Sequence, residues 1–224
     1  MSDGNEFEGI ADQINRFKEE FKKYQNTKVN LAIIGASGSG KSTLINALAG
    51  TRVTETSGVH SCTGINPHTF EKIKDFKPRY FEFENFIVHD LPGFGDKHFS
   101  ASSYLEEFNL QIFDAVIFVL QGFNGRVYQP DIDVLNQVKA SKVPHVLVLN
   151  QFDQMVENNK YDSEAAGIPP SKENELKHRW LESNAHLLEG TGVEVFCISA
   201  RFRNVTKWSS LKITSIACSR SLRG

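Results

Sequence analysis

The sequence has few cysteines, little excess charge of either sign and no long hydrophobic run. Its 224 residues contain three cysteines, Cys62, Cys197 and Cys218, whose spacing fits neither a disulfide framework nor a zinc site. We therefore expect reduced thiols and a cytoplasmic location. The longest apolar stretch in the middle of the chain, residues 115–120, is far shorter than the roughly 20 residues that a membrane-spanning helix requires.

The charged residues almost cancel, because 25 Lys and Arg stand against 27 Asp and Glu, for a formal net charge of -2. A protein that binds nucleic acid normally carries a basic stripe. No such stripe is evident, so we expect no nucleic-acid partner. Apolar residues make up 40% of the chain and include 17 Phe, which is enough for the core of an ordinary globular domain.

Strand-like and helix-like segments alternate along the chain. Runs of apolar and β-branched residues predict strands at residues 29–34, 80–88, 115–120, 144–149 and 193–198. Helices are predicted at residues 41–48, 99–110, 130–140 and 172–188, with a loop at residues 157–172. This alternation predicts an α/β fold, a doubly wound and mostly parallel sheet flanked by helices.

The two ends of the chain differ from its middle. Between residues 6 and 24 apolar side chains recur every three or four positions, which predicts an amphipathic N-terminal helix. Docking on the main domain is the simpler interpretation of this helix, and a membrane-surface or partner-binding role is the alternative. We therefore divide the chain into a helical arm (1–27), a main domain (28–206) and an atypical polar tail (207–224).

Residues 35–43 read GASGSGKST and lie directly between a predicted strand and a predicted helix. In that setting the backbone N–H groups of the loop and of the helix N-terminus converge on one phosphate. Lys41 would reach the β- and γ-phosphate oxygens, the Ser42 hydroxyl would bind Mg²⁺, and Thr43 would contact the α-phosphate. The remaining loop contacts would come from Gly35, Ser37, Gly38, Ser39 and Gly40. The alternative is a plain Gly/Ser-rich turn before a helix, and the presence of Lys41 and Ser42 disfavours it.

A second phosphate-side element, DLPGFG at residues 90–95, follows the strand predicted before it. Asp90 would lie beside Ser42 and hold Mg²⁺ through a water molecule. The Gly93 N–H would contact the γ-phosphate and move when that phosphate leaves. Alone, Asp-x-x-Gly is a common turn, and it gains meaning from the phosphate loop that precedes it.

Residues 150–153 read NQFD after another predicted strand. The Asp153 carboxylate would accept two hydrogen bonds from guanine N1 and the exocyclic amine, which adenine does not offer. Asn150 would brace the base and the loop. Guanine-reading domains carry Lys where this chain has Gln151. The aliphatic stem of Gln151 could still cover the base, but the charge that would tether the phosphate loop is missing.

A last, weaker element is SAR at residues 199–201, where Ser199 precedes Ala200 and the backbone N–H of Ala200 could meet the guanine oxygen. Taken together, the motifs predict binding of GTP and GDP with Mg²⁺. An ATP-using P-loop protein is an alternative, and Asp153 is the evidence against it.

The four stretches, in this order and spacing, resemble the Ras-like superfamily of P-loop GTPases. In finer detail the chain resembles the immunity-related (interferon-inducible) GTPases over roughly residues 7–203. That finer match lies in residues 35–47, in Thr63 and Gly64 followed by Thr69, in residues 90–95, and in the amphipathic helix before the first strand.

The resemblance implies GTP hydrolysis, nucleotide-dependent assembly into a homodimer or oligomer, and peripheral association with intracellular membranes. It also implies catalytic roles for Lys41, Thr63 and Gly93. Thr63 would be the switch threonine, binding Mg²⁺ together with Ser42 and Asp90 and holding the attacking water. Three other threonines compete for that role: Thr54, Thr56 and Thr69.

The chain departs from the pattern at two places besides Gln151. Phe94 stands where Ras-like enzymes keep a water-orienting Gln, so we expect slow intrinsic hydrolysis that self-association stimulates. A nucleotide-binding scaffold with little or no hydrolysis is the alternative. Family members continue into a helical C-terminal region, so the tail at residues 207–224 indicates a fragment or a truncated product.

Overall fold

The structure, a computed structural model, describes residues 27–54, 78–95, 98–123, 126–188 and 195–199. Within these residues six strands form one sheet in the order β2-β3-β1-β4-β5-β6. The strands are β1 (Val29–Gly35), β2 (Arg79–Glu82), β3 (Phe86–Asp90), β4 (Ala115–Gln121), β5 (His145–Asn150) and β6 (Val195–Cys197). Neighbouring strands are parallel except β2 and β3. The predicted mostly parallel α/β sheet is therefore confirmed.

The helices connect these strands and flank the sheet. They are α1 (Lys41–Ala49), α2 (Tyr104–Glu107), α3 (Gln129–Ala140), α4 (Phe152–Ala165), α5 (Glu173–Ser183) and α6 (Ala185–Leu188), with 3₁₀ turns at Ala101–Ser103 and Leu110–Ile112. Central strands are apolar at consecutive positions because both faces of the sheet are covered. In β1, Leu31 and Ile33 pack into one core cluster, while Ala32 and Ile34 pack into the other.

Two segments differ from the sequence prediction at the edge of the sheet and before β4. Residues 80–88 form an antiparallel hairpin rather than one strand, and the Phe83 N–H donates to the Phe86 carbonyl at 2.8 Å across its turn. The apolar residues on both sides of this turn concealed it. The helix predicted over residues 99–110 is two 3₁₀ turns with the four-residue α2 between them.

The predicted loop at residues 157–172 is also wrong over most of its length. Helix α4 continues to Ala165, so only residues 166–172 connect it to α5. Asn158 is exposed on α4, and its low helix propensity is a weak preference that tertiary packing overrides. Likewise the helix predicted over residues 172–188 is interrupted at Asn184, which separates α5 from α6.

Several predicted features lie outside the described residues. They are residues 1–26 of the helical arm, the tail at 207–224, Thr56, Thr63, Thr69 and Ala200. Across the described part of the chain, no helix combines the length and apolar character needed to span a bilayer.

Candidate nucleotide-binding site

The phosphate loop joins the end of β1 to the start of α1 at the carboxyl edge of the sheet. Gly38 and Gly40 adopt φ values of 81° and 87°, a left-handed conformation that glycine adopts without steric cost. A Cβ built on Gly40 would collide with the Asn150 Nδ2 atom, so a side chain at this position would displace the Asn150 amide. The loop is therefore shaped by its glycines.

Lys41 begins α1, and its side chain folds back over the loop. Its Nζ donates to the Gly35 carbonyl at 2.9 Å and to the Ala36 carbonyl at 3.0 Å. The ammonium charge also lies within electrostatic range of two buried carboxyls, Asp90 and Asp131. Lys41 is thus a mostly buried cation placed at the loop that would receive phosphates.

Asp90 ends β3, where it pairs in register with Ile33 of β1. Burial raises the pKa of its carboxyl to about 6, and the charges of Lys41 and Arg79 oppose that shift. Its Oδ1 atom is buried and has no hydrogen-bond partner among the described residues. A buried carboxylate oxygen of this kind suits Mg²⁺, which prefers oxygen ligands.

Gly93 and Phe94 pack directly on the phosphate loop. A Cβ built on Gly93 would lie 2.8 Å from Ser37 Cα and 3.1 Å from Lys41 Nζ. The Ser37 N–H donates to the Phe94 carbonyl at 3.0 Å. Only glycine fits this position, and the contact joins the segment after Asp90 to the loop.

The Phe94 side chain points away from the loop into the core. It is fully buried, and its ring packs edge-on against Tyr104 at 5.4 Å and near Phe118 at 5.9 Å between centroids. The Tyr104 hydroxyl donates to the Pro92 carbonyl, and burial raises the Tyr104 pKa well above its usual value. Phe94 therefore anchors its segment and offers no side chain to orient water.

The base-side motif meets the same loop from the end of β5. Asn150 Nδ2 donates to the Ser39 carbonyl at 3.0 Å and to the Gly40 carbonyl at 3.4 Å. Asp153 lies in the first turn of α4, and its N–H donates to Ser199 Oγ at 3.0 Å. The structure thus brings the residues predicted to read guanine, apart from Ala200, to the edge of the sheet that holds the phosphate loop.

Ser42 and Asp90 each place a side-chain oxygen in this region that suits a metal ligand. Within the described ranges, no group of three His, Cys, Asp or Glu side chains could hold a metal ion. Mg²⁺ at nucleotide sites usually relies on one or two protein oxygens together with phosphate oxygens and water. The oxygens of Ser42 and Asp90 fit this expectation of one or two protein ligands.

One of the competing threonines is described. Thr54 is buried, and its backbone is fixed from both sides by the Asn46 side chain, which accepts from the Thr54 N–H and donates to the Thr54 carbonyl at 2.9 Å each. These bonds fix where the chain leaves α1. The position of Thr63 relative to Mg²⁺ stays a prediction.

Two residues that the motifs do not include lie near the phosphate loop or its lysine, namely Gln121 and Asp131. Gln121 is the polar residue that ends the apolar strand β4, and it belongs to none of the motifs. Asp131 lies in the first turn of α3. It is buried, and burial raises its pKa to about 6 against the opposing effects of a hydrogen bond from the Tyr128 N–H and the charge of Lys41.

The sheet order, the phosphate loop between β1 and α1, and the polar residues that end β3 and β5 define a P-loop domain of the doubly wound α/β class. The chain belongs to the interferon-inducible GTPase (IIGP) family, whose family profile matches residues 5–167. Over 157 residues it is 28% identical to the mouse (Mus musculus) protein Interferon-inducible GTPase 1, and the match covers 70% of this chain and 35% of the mouse protein. The chain therefore spans about a third of the length of that relative.

Solved structures share the fold. A variant of Era from Aquifex aeolicus bound to GDP·AlF4− matches with a TM-score of 0.55 and 22% identity, covering 86% of this chain and 57% of that chain. A probable GTP-binding protein engB matches with a TM-score of 0.51 and 18% identity, covering 85% and 99%. The family and the fold that the sequence predicted are both confirmed.

Proposed function

We propose that this chain is a guanine-nucleotide-binding switch that hydrolyses GTP to GDP and phosphate with the help of Mg²⁺. The observation that carries the proposal is the contact of Asn150 with the carbonyls of Ser39 and Gly40. It ties the base-side motif to the phosphate loop, so one ligand with a base and a chain of phosphates would meet both. Membership of a GTPase family supports the same conclusion.

The roles follow from the geometry. Lys41 would stabilise charge on the β- and γ-phosphate oxygens, because its ammonium already lies at the loop. Gly93 would present its N–H to the γ-phosphate. Mg²⁺, when bound, supplies positive charge that offsets the charge of the phosphates, and Ser42, Asp90 and Thr63 would hold it. Asp153 would select guanine.

Titration of the protein with fluorescent GTP, GDP and ATP analogues in the presence of Mg²⁺ tests the proposal. We expect both guanine nucleotides to bind at least about tenfold more tightly than ATP, since adenine leaves the Asp153 carboxylate without its hydrogen-bond donors. Equal affinity for ATP would refute the guanine assignment. Absence of binding by all three would refute the switch itself.

Hydrolysis is expected to depend on protein concentration. The buried Phe94 ring orients no water, so an isolated chain should turn over slowly, and a second copy could supply the missing group. Phosphate release per mole of protein should rise as the protein concentration is increased over two decades. A specific activity that stays flat across this range would contradict stimulation by self-association.

The scaffold alternative is favoured by two observations, the buried Phe94 side chain and the neutral Gln151. Single-turnover measurements with protein in excess of GTP distinguish it from an enzyme, because a scaffold would bind GTP and leave it intact. Peripheral association with intracellular membranes and a cytoplasmic location are further proposals that rest on the family resemblance and on composition.

A further inference from the structure

We propose that Tyr104 is a positioning residue for the γ-phosphate, because its hydroxyl orients the peptide unit that carries the Gly93 N–H. Gly93 is the residue predicted to contact the γ-phosphate, so the proposal rests on the proposed function. It adds to that function a residue outside the sequence motifs. It also gives that residue a part in the discrimination between GTP and GDP.

The Tyr104 hydroxyl binds one end of the peptide unit between Pro92 and Gly93. It donates to the Pro92 carbonyl, and that carbonyl and the Gly93 N–H belong to the same planar group. The described residues contain no cis peptide bond, so the C=O and N–H bonds of this unit point in opposite directions. By holding the carbonyl, Tyr104 therefore directs the Gly93 N–H away from its own ring.

Gly93 lies against the phosphate loop. A Cβ built on it would lie 2.9 Å from the Ser37 backbone nitrogen and 3.1 Å from Lys41 Nζ. Gly93 is buried, and among the described residues no backbone carbonyl accepts a hydrogen bond from its N–H. Buried backbone N–H groups are rarely left unpaired. This N–H therefore suits an acceptor that arrives with the ligand, namely a γ-phosphate oxygen.

The neighbours of this peptide unit explain why its carbonyl needs a partner. The ring of Pro92 fixes the φ angle on one side. On the other side, the Phe94 carbonyl accepts from the Ser37 N–H at 3.0 Å. Gly93 between them has no Cβ and tolerates a wide range of φ, so the peptide unit could rotate while both neighbours stay in place. The hydrogen bond from Tyr104 opposes that rotation.

Tyr104 is itself firmly held. Its side chain is buried, and its ring packs edge-on against Phe94 at 5.4 Å between centroids. Gln137 of α3 ties down the chain on both sides of Tyr104. The Leu105 N–H donates to Gln137 Oε1 at 3.2 Å, and Gln137 Nε2 donates to the Ala101 carbonyl at 2.6 Å. Tyr104 thus presents its hydroxyl from a fixed position, as a residue that orients another must.

The chemistry makes the effect of Tyr104 specific for the triphosphate. Burial raises the pKa of the Tyr104 hydroxyl well above its usual value, so the hydroxyl keeps its proton and remains a donor. A hydrogen bond to the carbonyl polarises the peptide unit and strengthens its N–H as a donor. The bond from that N–H to a phosphate oxygen is charge-assisted. GDP has no γ-phosphate and gains nothing from this orientation.

Tyr104→Phe tests the proposal, because it keeps the ring and removes only the hydroxyl. The variant is titrated with fluorescent GDP and with a fluorescent, non-hydrolysable GTP analogue in the presence of Mg²⁺. We expect affinity for the GTP analogue to fall about five- to tenfold, while affinity for GDP stays within about twofold of the parent. Tyr161→Phe is the matched control. Tyr161 is exposed on α4, and loss of its hydroxyl should change neither affinity.

Gln137→Leu provides a second variant that leaves the Tyr104 side chain intact. It removes both hydrogen bonds that hold the chain around Tyr104 to α3, so it should also weaken binding of the GTP analogue more than binding of GDP, by a smaller factor than Tyr104→Phe. Thermal unfolding shows whether each variant retains the fold. If Tyr104→Phe does not fold, Gln137→Leu decides the question by the same criterion.

The outcomes separate this role from the proposed function. A ratio of GTP-analogue affinity to GDP affinity that equals that of the parent would overturn the role of Tyr104, whether both affinities are unchanged or fall equally, and the proposed function would stand. A parent protein that binds neither nucleotide would overturn the proposed function and this role with it. A loss confined to the GTP analogue would support both.

Discussion

Replacing Lys41 with alanine is expected to weaken GTP binding by on the order of a hundredfold or more. The substitution removes charge-assisted hydrogen bonds to the β- and γ-phosphates, each worth about 1.5–3 kcal/mol. It also leaves the buried carboxyls of Asp90 and Asp131 without the cation that lowers the pKa of each. The site then becomes less favourable for an anion. Titration with a fluorescent GTP analogue measures the loss.

Lys160→Ala is the matched control for this experiment. Lys160 is exposed on α4, and its ion pair with Glu164 is long at 3.9 Å, so its removal should change neither folding nor affinity. Thermal unfolding of both variants checks that Lys41→Ala retains the fold. If folded Lys41→Ala binds GTP as tightly as the parent does, the phosphate loop does not hold the triphosphate and the interpretation of residues 35–43 is wrong.

The sequence predicted the centre of the fold well because that centre is defined by local patterns. Strand β4 is an uninterrupted apolar run up to Leu120, strand β1 is apolar from Leu31 to Ile34, and each structural strand extends only one residue beyond its prediction. The glycine-rich loop was recognisable because its glycines and Lys41 follow one of these runs directly. Burial on both faces leaves a strand without alternation, so the length of the run alone defines it.

The errors arose where local patterns compete with tertiary structure. The turn between β2 and β3 contains no Gly or Pro, so the hairpin looked like one strand. Helix α4 contains Asn158 and Asn159, which weaken the helical pattern without breaking it. In each case contacts with the rest of the fold decide the structure, and those contacts are not visible in a window of a few residues.

Some contacts of the site join residues that are close in space but far apart in the sequence. Asn150 contacts a carbonyl that lies 111 positions earlier in the chain, and a motif predicted that contact because its residues recur in guanine-reading domains. No motif includes Gln121, Asp131 or Tyr104. Their proximity to the loop, or to the segment that packs on it, follows from strand register and helix packing, which the structure provides and the sequence does not.

The choice of base is tested most directly at Asp153. Changing it to asparagine replaces a carboxylate oxygen with an amide donor that would face the exocyclic amine of guanine. Two opposed donors in a partly buried site cost roughly 1 to 3 kcal/mol, in addition to the charge-assisted bonds that are lost. GTP affinity should therefore fall by on the order of tenfold to a few hundredfold. Xanthine has a carbonyl where guanine has that amine, so XTP should bind Asp153→Asn better than GTP does.

Asp162→Asn provides the matched control, because Asp162 lies on the same helix, is exposed and loses the same charge. The structure supports a local effect at position 153. Its N–H is held by Ser199 Oγ at 3.0 Å, and an asparagine backbone makes the same bond, so the helix start should be preserved.

Parent, Asp153→Asn and Asp162→Asn are titrated with labelled GTP and XTP. Because Gln151 lacks the charge of a lysine, the shift in affinity from GTP to XTP is expected to be smaller, but its direction should be the same. A preference that does not move toward xanthine in Asp153→Asn would show that another group reads the base.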